Sequence, residues 1–302
     1  MTTVPERPAP SSPAADRPSG SALAGVVVPA HDEEAVLGRL IGRLTGSARP
    51  GELDIVVVAN GCADGTAVLA RSFGPAVRVV ETPLPGKRSA LRLGDEAIDA
   101  FPRLYVDADV ELGAEDVRRL CAALTEPGVL AAAPERRFDM RGCSWVVRWY
   151  YDVWTRLPEV REGLFGRGVL ALSEAAHRRV AALPAVMADD LAVSLAFAPD
   201  ERTVVREATA LIRPPREWRD LLRRRVRAQV GTVEIEQDEV LPGATARTNV
   251  RDVLGIAGRE PRMALRIALF LAVAVLARAG ARRAVRSGDF TTWLRDESSR
   301  QD

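Results

Sequence analysis

Lysine is almost missing from this chain. Of 42 basic side chains, Lys87 is the one lysine and all the others are arginine. Histidine is scarce as well, and His31 and His177 are too few for a histidine-based metal centre. The three cysteines, Cys62, Cys121 and Cys143, lack metal-type spacing and cannot all pair, which points to a reducing compartment. With a net charge of +1, polyanion binding by the chain as a whole, nucleic acid included, is not expected. Residues 1–22 are rich in Pro, Ser and Ala, have no apolar signal-type core and read as a disordered tail. The expected location is therefore the cytoplasm. The longest unbroken apolar run, 267–277, is eleven residues; at helical rise that is ~16 Å, about half a bilayer core, so no spanning segment is expected.

A hydrophobic share of 47% over 302 residues suffices for a sizeable core. Four short runs rich in β-branched residues read as buried strands: 25–28, stopped by Pro29, then 54–58, 77–80 and 104–106. Between them lie helical patterns, the first with Val36, Leu37, Leu40, Ile41 and Leu44 on one face. A third helix is expected from Ser89 to Ala100. This alternation predicts an α/β fold with a Rossmann-related, mostly parallel sheet flanked by helices. Each strand hands over to a polar, turn-rich segment, and in such a sheet those segments share one rim, where ligands bind.

Asp107-Ala108-Asp109 follows the fourth strand. In an extended chain, side chains at i and i+2 point the same way, so both carboxylates can face one cation or ligand. Hard oxygen ligands suit Mg²⁺ or Mn²⁺ holding a diphosphate. The alternative is a pair of turn-forming aspartates. Lys87 sits in Pro85-Gly86-Lys87-Arg88. Where arginine is the default, a compact ammonium fits a diphosphate contact, and chance retention of one exposed lysine is the open alternative.

The second half is less regular. Residues 145–154 form an aromatic-rich helical stretch suited to core or to an acceptor-groove wall. Residues 166–172 read as a strand entered through glycines, and Asp189-Asp190 opens a further helix, where a carboxylate reads as an N-cap. Residues 216–227 predict an arginine-dense helix and 232–262 an irregular loop. From Met263 a helix carries Arg266, Arg278, Arg282, Arg283 and Arg286 around its apolar run. Lying on an anionic membrane surface and covering one side of the sheet are both open to it. The division expected is a tail at 1–22, a domain at 23–231, and a C-terminal loop and helical extension at 232–302.

Taken together, these segments resemble the inverting GT-A glycosyltransferases of family 2. Val26-Val27-Val28-Pro29-Ala30-His31-Asp32-Glu33-Glu34 is similar to the family's opening V-P-A-x-N-E-E. Residues Val58-Ala59-Asn60-Gly61-Cys62-Ala63-Asp64-Gly65-Thr66 resemble its V-D-D-G-S-x-D-x-T. Pro85-Gly86-Lys87 resembles the G-K segment, Asp107-Ala108-Asp109 the D-x-D, and Ala188-Asp189-Asp190 the E-D motif that supplies the base. The likeness runs from about Val26 to about Gly231. It departs at Ala59 and Asn60, where two aspartates are usual, and at Asp189, which replaces a glutamate. Arg224-Arg225-Val226-Arg227-Ala228 lacks the Gln and Trp of the processive Q-x-x-R-W, which implies a single transfer.

The resemblance implies transfer of a sugar from a UDP- or GDP-linked donor to a hydroxyl on a lipid-linked or small-molecule acceptor, with a divalent cation, Mg²⁺ or Mn²⁺, as cofactor. Asp190 is the implied base. Pro29, Ala30 and Glu33 line the nucleoside pocket with Asn60 on its second wall. Asp107 and Ala108 lie against the nucleotide sugar, Asp109 holds the metal, and Lys87, Arg224 and Arg227 contact the diphosphate. Two rivals stand beside this reading. A sugar-1-phosphate nucleotidyltransferase would carry a G-x-G-T-R-type loop after the first strand. A non-catalytic membrane-surface or polyanion-binding module would use 216–227 and the C-terminal helix.

Overall fold

The structure is a computed structural model and describes residues 22–182, 193–194, 196–237 and 250–287. Strand β1 (Ala24–Ala30) is wholly buried but for Pro29, and it lies between β2 (Leu53–Asn60) and β4 (Arg103–Val106), both parallel to it. Strand β3 (Val77–Thr82) continues the parallel set beyond β2. Pro29 does not stop the first strand, as its ring suggests. Pairing with β4 ends at Val27, whereas pairing with β2 continues through Ala30, so the proline sits where β1 keeps one ladder neighbour.

Past β4 the sheet changes character. Its order is β3-β2-β1-β4-β7-β6-β8-β5, where β5 is Val110–Glu111, β6 Ala131–Phe138, β7 Val169–Leu172 and β8 Arg202–Ile212. Strand β7 runs antiparallel to both β4 and β6, while β6 and β8 are parallel. The register between β6 and β8 slips between Pro134 and Glu135, an irregularity that a proline inside a strand often accompanies. A parallel half, which carries the four motif loops, is thus joined to a mixed half.

Helices α1 (Glu34–Gly46), α2 (Thr66–Arg71) and α4 (Ala114–Ala123) cover one face of the sheet. Leu37, Leu40, Ile41 and Leu44 of α1 pack there with Val117, Leu120 and Cys121 of α4. On the opposite face lies α3, which spans Lys87–Glu96 and so starts and ends before the expected limits. It approaches β1 so closely that a Cβ on Gly94 would stand 2.3 Å from Val27 Cγ1.

The C-terminal part departs most from expectation. Helices α5 (Trp145–Trp154), α6 (Pro158–Glu162) and α7 (Glu174–Ala181) precede α8, which runs from Trp218 to Gln237 across the boundary expected at 231. The segment 232–262, read as an irregular loop, instead holds the end of α8 and helix α9 (Val250–Arg259). Helix α10 (Ala264–Ser287) is far longer than its eleven-residue apolar run, and 261–284 is long and apolar enough by length and composition to cross a membrane. The expectation of no such segment is corrected. Small alanines and a half-buried Arg266 extend the apolar helix beyond the unbroken run. A second core joins Tyr150, Tyr151 and Trp154 of α5 with Leu221, Val253, Ile256, Ile267 and Phe270 from α8, α9 and α10.

Candidate active site

The loops after β1 and β2 are laced together through backbone and side chains. Asp32 adopts a left-handed φ of 47°, unusual for a residue with a Cβ, and its Oδ1 accepts from the Ala63 amide at 2.6 Å. The Glu33 amide donates to Thr66 Oγ1 at 2.7 Å and the Glu34 amide to Asp64 Oδ2 at 3.1 Å. In return, the Gly65 amide donates to Glu34 Oε2 at 2.9 Å. His31 Nδ1 lies 2.6 Å from the Asn60 carbonyl, which can only accept, so that nitrogen carries the proton.

Asn60, the last residue of β2, is 2% exposed. Its Nδ2 donates to the Ala30 carbonyl at 2.7 Å, and its Oδ1 accepts from the Gly86 amide at 2.9 Å. One buried amide therefore joins the ends of β1 and β2 to the start of α3. Gly61 follows with φ of 60°, and a Cβ there would meet the Pro85 nitrogen at 2.7 Å. The β2 and β3 loops touch where only glycine fits.

Lys87 is the first residue of α3, so its ammonium and the positive end of the helix face the same rim. Its Nζ donates to Asp107 Oδ1 at 2.7 Å. Asp107, Ala108 and Asp109 are not extended, as the same-side argument assumed. The Val110 amide donates to the Asp107 carbonyl at 3.2 Å, which closes a turn between β4 and β5. That turn is held from both sides. The Asp107 amide donates to the Gly168 carbonyl at 2.8 Å, and Gly168 has φ of 64° with room for no side chain, since its Cβ would lie 2.3 Å from Val110 Cγ2. Beyond Val110, buried Glu111 binds Arg43 of α1 at 2.6 Å and Arg213 at 2.5 Å.

Ala30, Asn60, Lys87 and Asp107 are thus linked through direct hydrogen bonds and the Gly86–Lys87 junction. Pro29 lies at the strand end, Glu33 is tied in through Thr66, and Ala108 and Asp109 occupy the turn. Arg224 and Arg227 lie on α8. Arg225 between them points its guanidinium at Tyr150 and Trp154, 5.8 and 5.9 Å from the ring centroids. Asp189 and Asp190 lie outside the described residues, so the implied base has no position here. Sequence reasoning did not single out Asp32, Thr66, Gly168 or Glu111. The first two stand inside the quoted motifs and Gly168 among the glycines that enter a strand, whereas nothing local marks Glu111.

Two kinds of donor set occur on this rim. The carboxylate of Asp109, partly exposed in the turn beside Asp107, offers hard oxygens of the kind that hold Mg²⁺ or Mn²⁺. His31, Asp32 and Cys62 each offer a ligand atom within 4.8 Å of the other two, a mixed set closer to zinc chemistry. Burial pushes the Cys62 thiol up, so a metal ion there would have to displace its proton.

Residues 25–170 match the model of a family described as glycosyl transferase family 2. The segment is a family 2 glycosyltransferase domain. The match supports sugar transfer, and the protein is a glycosyltransferase. Two solved structures share its architecture. One is the mannosyltransferase PcManGT from Pyrobaculum calidifontis in complex with GDP-Man and Mn²⁺, 19% identical with a TM-score of 0.56, covering 91% of this chain and 79% of that chain. The other is glucosyl-3-phosphoglycerate synthase from Mycobacterium tuberculosis in complex with Mn²⁺, UDP-glucose and phosphoglyceric acid. It is 21% identical with a TM-score of 0.52, covering 70% of this chain and 79% of that chain. At these identities the likeness is one of fold. No curated protein matches the chain.

Proposed function

We propose that this glycosyltransferase moves one sugar from a UDP- or GDP-linked donor to an acceptor hydroxyl, with inversion at the anomeric carbon. What carries the reading is the Lys87–Asp107 contact at 2.7 Å, which sets the chain's single lysine against the turn that bears Asp109. Lys87 and the start of α3 face the leaving diphosphate with positive charge. Charge of that kind lowers the barrier where negative charge develops. Asp109 would hold a divalent cation, Mg²⁺ or Mn²⁺, whose contribution when bound is to neutralise the diphosphate. Pro29, Ala30 and Glu33 line the nucleoside pocket with Asn60 on its second wall, Asp107 faces the ribose, and Ala108 lies against the nucleotide sugar. Arg224 and Arg227 add positive charge from α8.

Asp190 is the base that takes the acceptor proton. One displacement assisted by one base inverts the centre. The absence of the Gln and Trp of Q-x-x-R-W around Arg227 supports a single transfer, and this rests on the motif alone now that α10 is seen to be long and apolar. The acceptor is a hydroxyl on a lipid-linked or small molecule.

The test is a panel of nucleotide sugars scored for slow hydrolysis, followed by NMR of the released sugar before it mutarotates. Divalent-dependent hydrolysis with an inverted anomer is expected, and retention would remove the mechanism. Asp190→Asn should bind donor as the unaltered protein does and lose transfer, and retained turnover would overturn the assignment of Asp190.

A further inference from the structure

Helix α10 has two apolar faces, and the fold uses one. Met263, just ahead of it, and Ile267, Phe270, Val273, Ala277 and Ala281 recur every three or four residues and are buried. They pack on α5 and α8. Phe270 stacks on Tyr150 at 5.0 Å, and Gly280 approaches Val226 so closely that a Cβ would lie 2.7 Å from its Cγ2. Among the described residues, the other face stays open. Leu265 is 72% exposed, Val275 60%, Leu276 52% and Leu271 43%, with exposed alanines between them. An apolar strip of this length on a water-soluble surface marks a docking face.

Charge identifies the occupant. From 261 to 287 the sequence has six arginines and no acidic residue, in a chain whose net charge is +1. Arg262, Arg278, Arg282 and Arg283 are exposed. Arg266 is engaged by Asp152 and lies over the Trp149 ring, and Trp149 in turn meets the exposed Trp145 at 5.1 Å. A second copy docked face to face would bring these arginines against their own kind. A bilayer with anionic headgroups accepts both the arginines and the leucine–valine strip.

We propose that α10 seats this protein on an anionic membrane surface, lying in the plane of the interface with its outer face at the headgroup–acyl boundary. The buried face decides against spanning. It runs from Met263 to Ala281, about 27 Å at helical rise. Drawing α10 across a bilayer would strip it from α5 and α8 and turn Tyr150 and Leu221 to water. The inference does not depend on the transfer chemistry, and it holds whether or not the acceptor is a lipid.

The full chain should float with vesicles of phosphatidylcholine plus phosphatidylglycerol, and far less with phosphatidylcholine alone or at high salt. Leu271→Glu with Val275→Glu should stay unbound while circular dichroism, melting and donor hydrolysis match the unaltered protein. Replacing Arg278, Arg282 and Arg283 by glutamine should cost roughly hundredfold in vesicle affinity. Flotation unchanged by both variants would overturn the proposal, as would no flotation of the unaltered chain. A dimer in solution broken by the two glutamates would assign the face to a second copy instead. Resistance of bound protein to alkaline carbonate would show spanning, which also overturns it.

Discussion

Asn60 engages its whole amide in holding backbone. It donates to Ala30 and accepts from Gly86, in a place where water has no access. The family pattern puts an aspartate at this position, and an aspartate can only accept when ionised. Here a donor is required, because the Ala30 carbonyl ends β1 against it. Asn60→Ala leaves that carbonyl and the Gly86 amide unsatisfied and should cost about 1–3 kcal/mol in urea denaturation. Asn60→Asp should be destabilised too, since it sets a carboxylate oxygen against a carbonyl oxygen. An unchanged midpoint in either variant would refute the clamp. Lys87 works differently. Its side chain is 44% exposed and its pair with Asp107 is a surface pair, worth little to stability. Lys87→Met should leave the urea midpoint unmoved yet weaken UDP or GDP binding roughly tenfold or more, the scale of a lost charge-assisted contact. Calorimetric titration with Mn²⁺ present reads the difference.

The packing of α3 on β1 yields a test at the scale of elements. Gly94→Ala improves helix propensity by about 1 kcal/mol, but its Cβ would sit 2.3 Å from Val27 Cγ1, and overpacking costs about 1–3 kcal/mol. Net destabilisation is expected, with partial rescue when Val27→Ala is added, and additive effects would rule out the contact. A second test concerns how α4 is tied to the start of β2. Arg118 donates to Glu52 at 2.7 Å and to the Ser47 carbonyl at 3.0 Å. That guanidinium, with help from the Arg49 amide, lowers the Glu52 carboxyl from 4.5 to about 2. The folded state then binds this proton less readily than the unfolded chain, so its contribution is complete above about 4.5 and fades as pH falls toward 2. Glu52→Gln should lose that contribution at neutral pH, flatten the acid limb of stability between those values, and converge with the unaltered chain as pH falls toward 2. The parallel half was legible because its strands are β-branched runs closed by turn residues, and each helix shows its buried stripe. Strand β6 was not, since Ala131, Ala132, Ala133, Pro134 and two arginines carry no strand pattern, and burial between β7 and β8 alone makes them one. The apolar reach of α10 was misjudged because an unbroken run measures less than a helix whose arginines lie on its flanks. The loop motifs of the site could be read from residue types. The hydrogen bonds that close Asn60 on Gly86 and the turn at Asp107 could not, because they join segments far apart in the chain.

At the scale of the molecule, the sheet's cores and the aromatic core divide the work. The sheet and its covering helices hold the four loops of the rim, and the aromatic cluster of α5, α8, α9 and α10 forms a separate layer. A nucleotide bound at the rim would bridge loops from β1, β2, β3 and β4 at once, and the unfolded chain has no such site. Ligand present at a hundred times its dissociation constant stabilises by about 2.7 kcal/mol. For a domain of this size each kcal/mol moves the melting midpoint by roughly 2–4 °C, so UDP or GDP with Mn²⁺ should raise it by about 5–10 °C. Chelating the metal should abolish most of the rise, because without it the diphosphate meets Asp107 and Asp109 as bare like charges. Lys87→Met should melt as the unaltered chain does and show a smaller rise. The two-glutamate variant of α10 should keep the full rise while losing vesicle binding, which separates the rim from the membrane face. A rise that survives both chelation and Lys87→Met would place the nucleotide somewhere other than this rim.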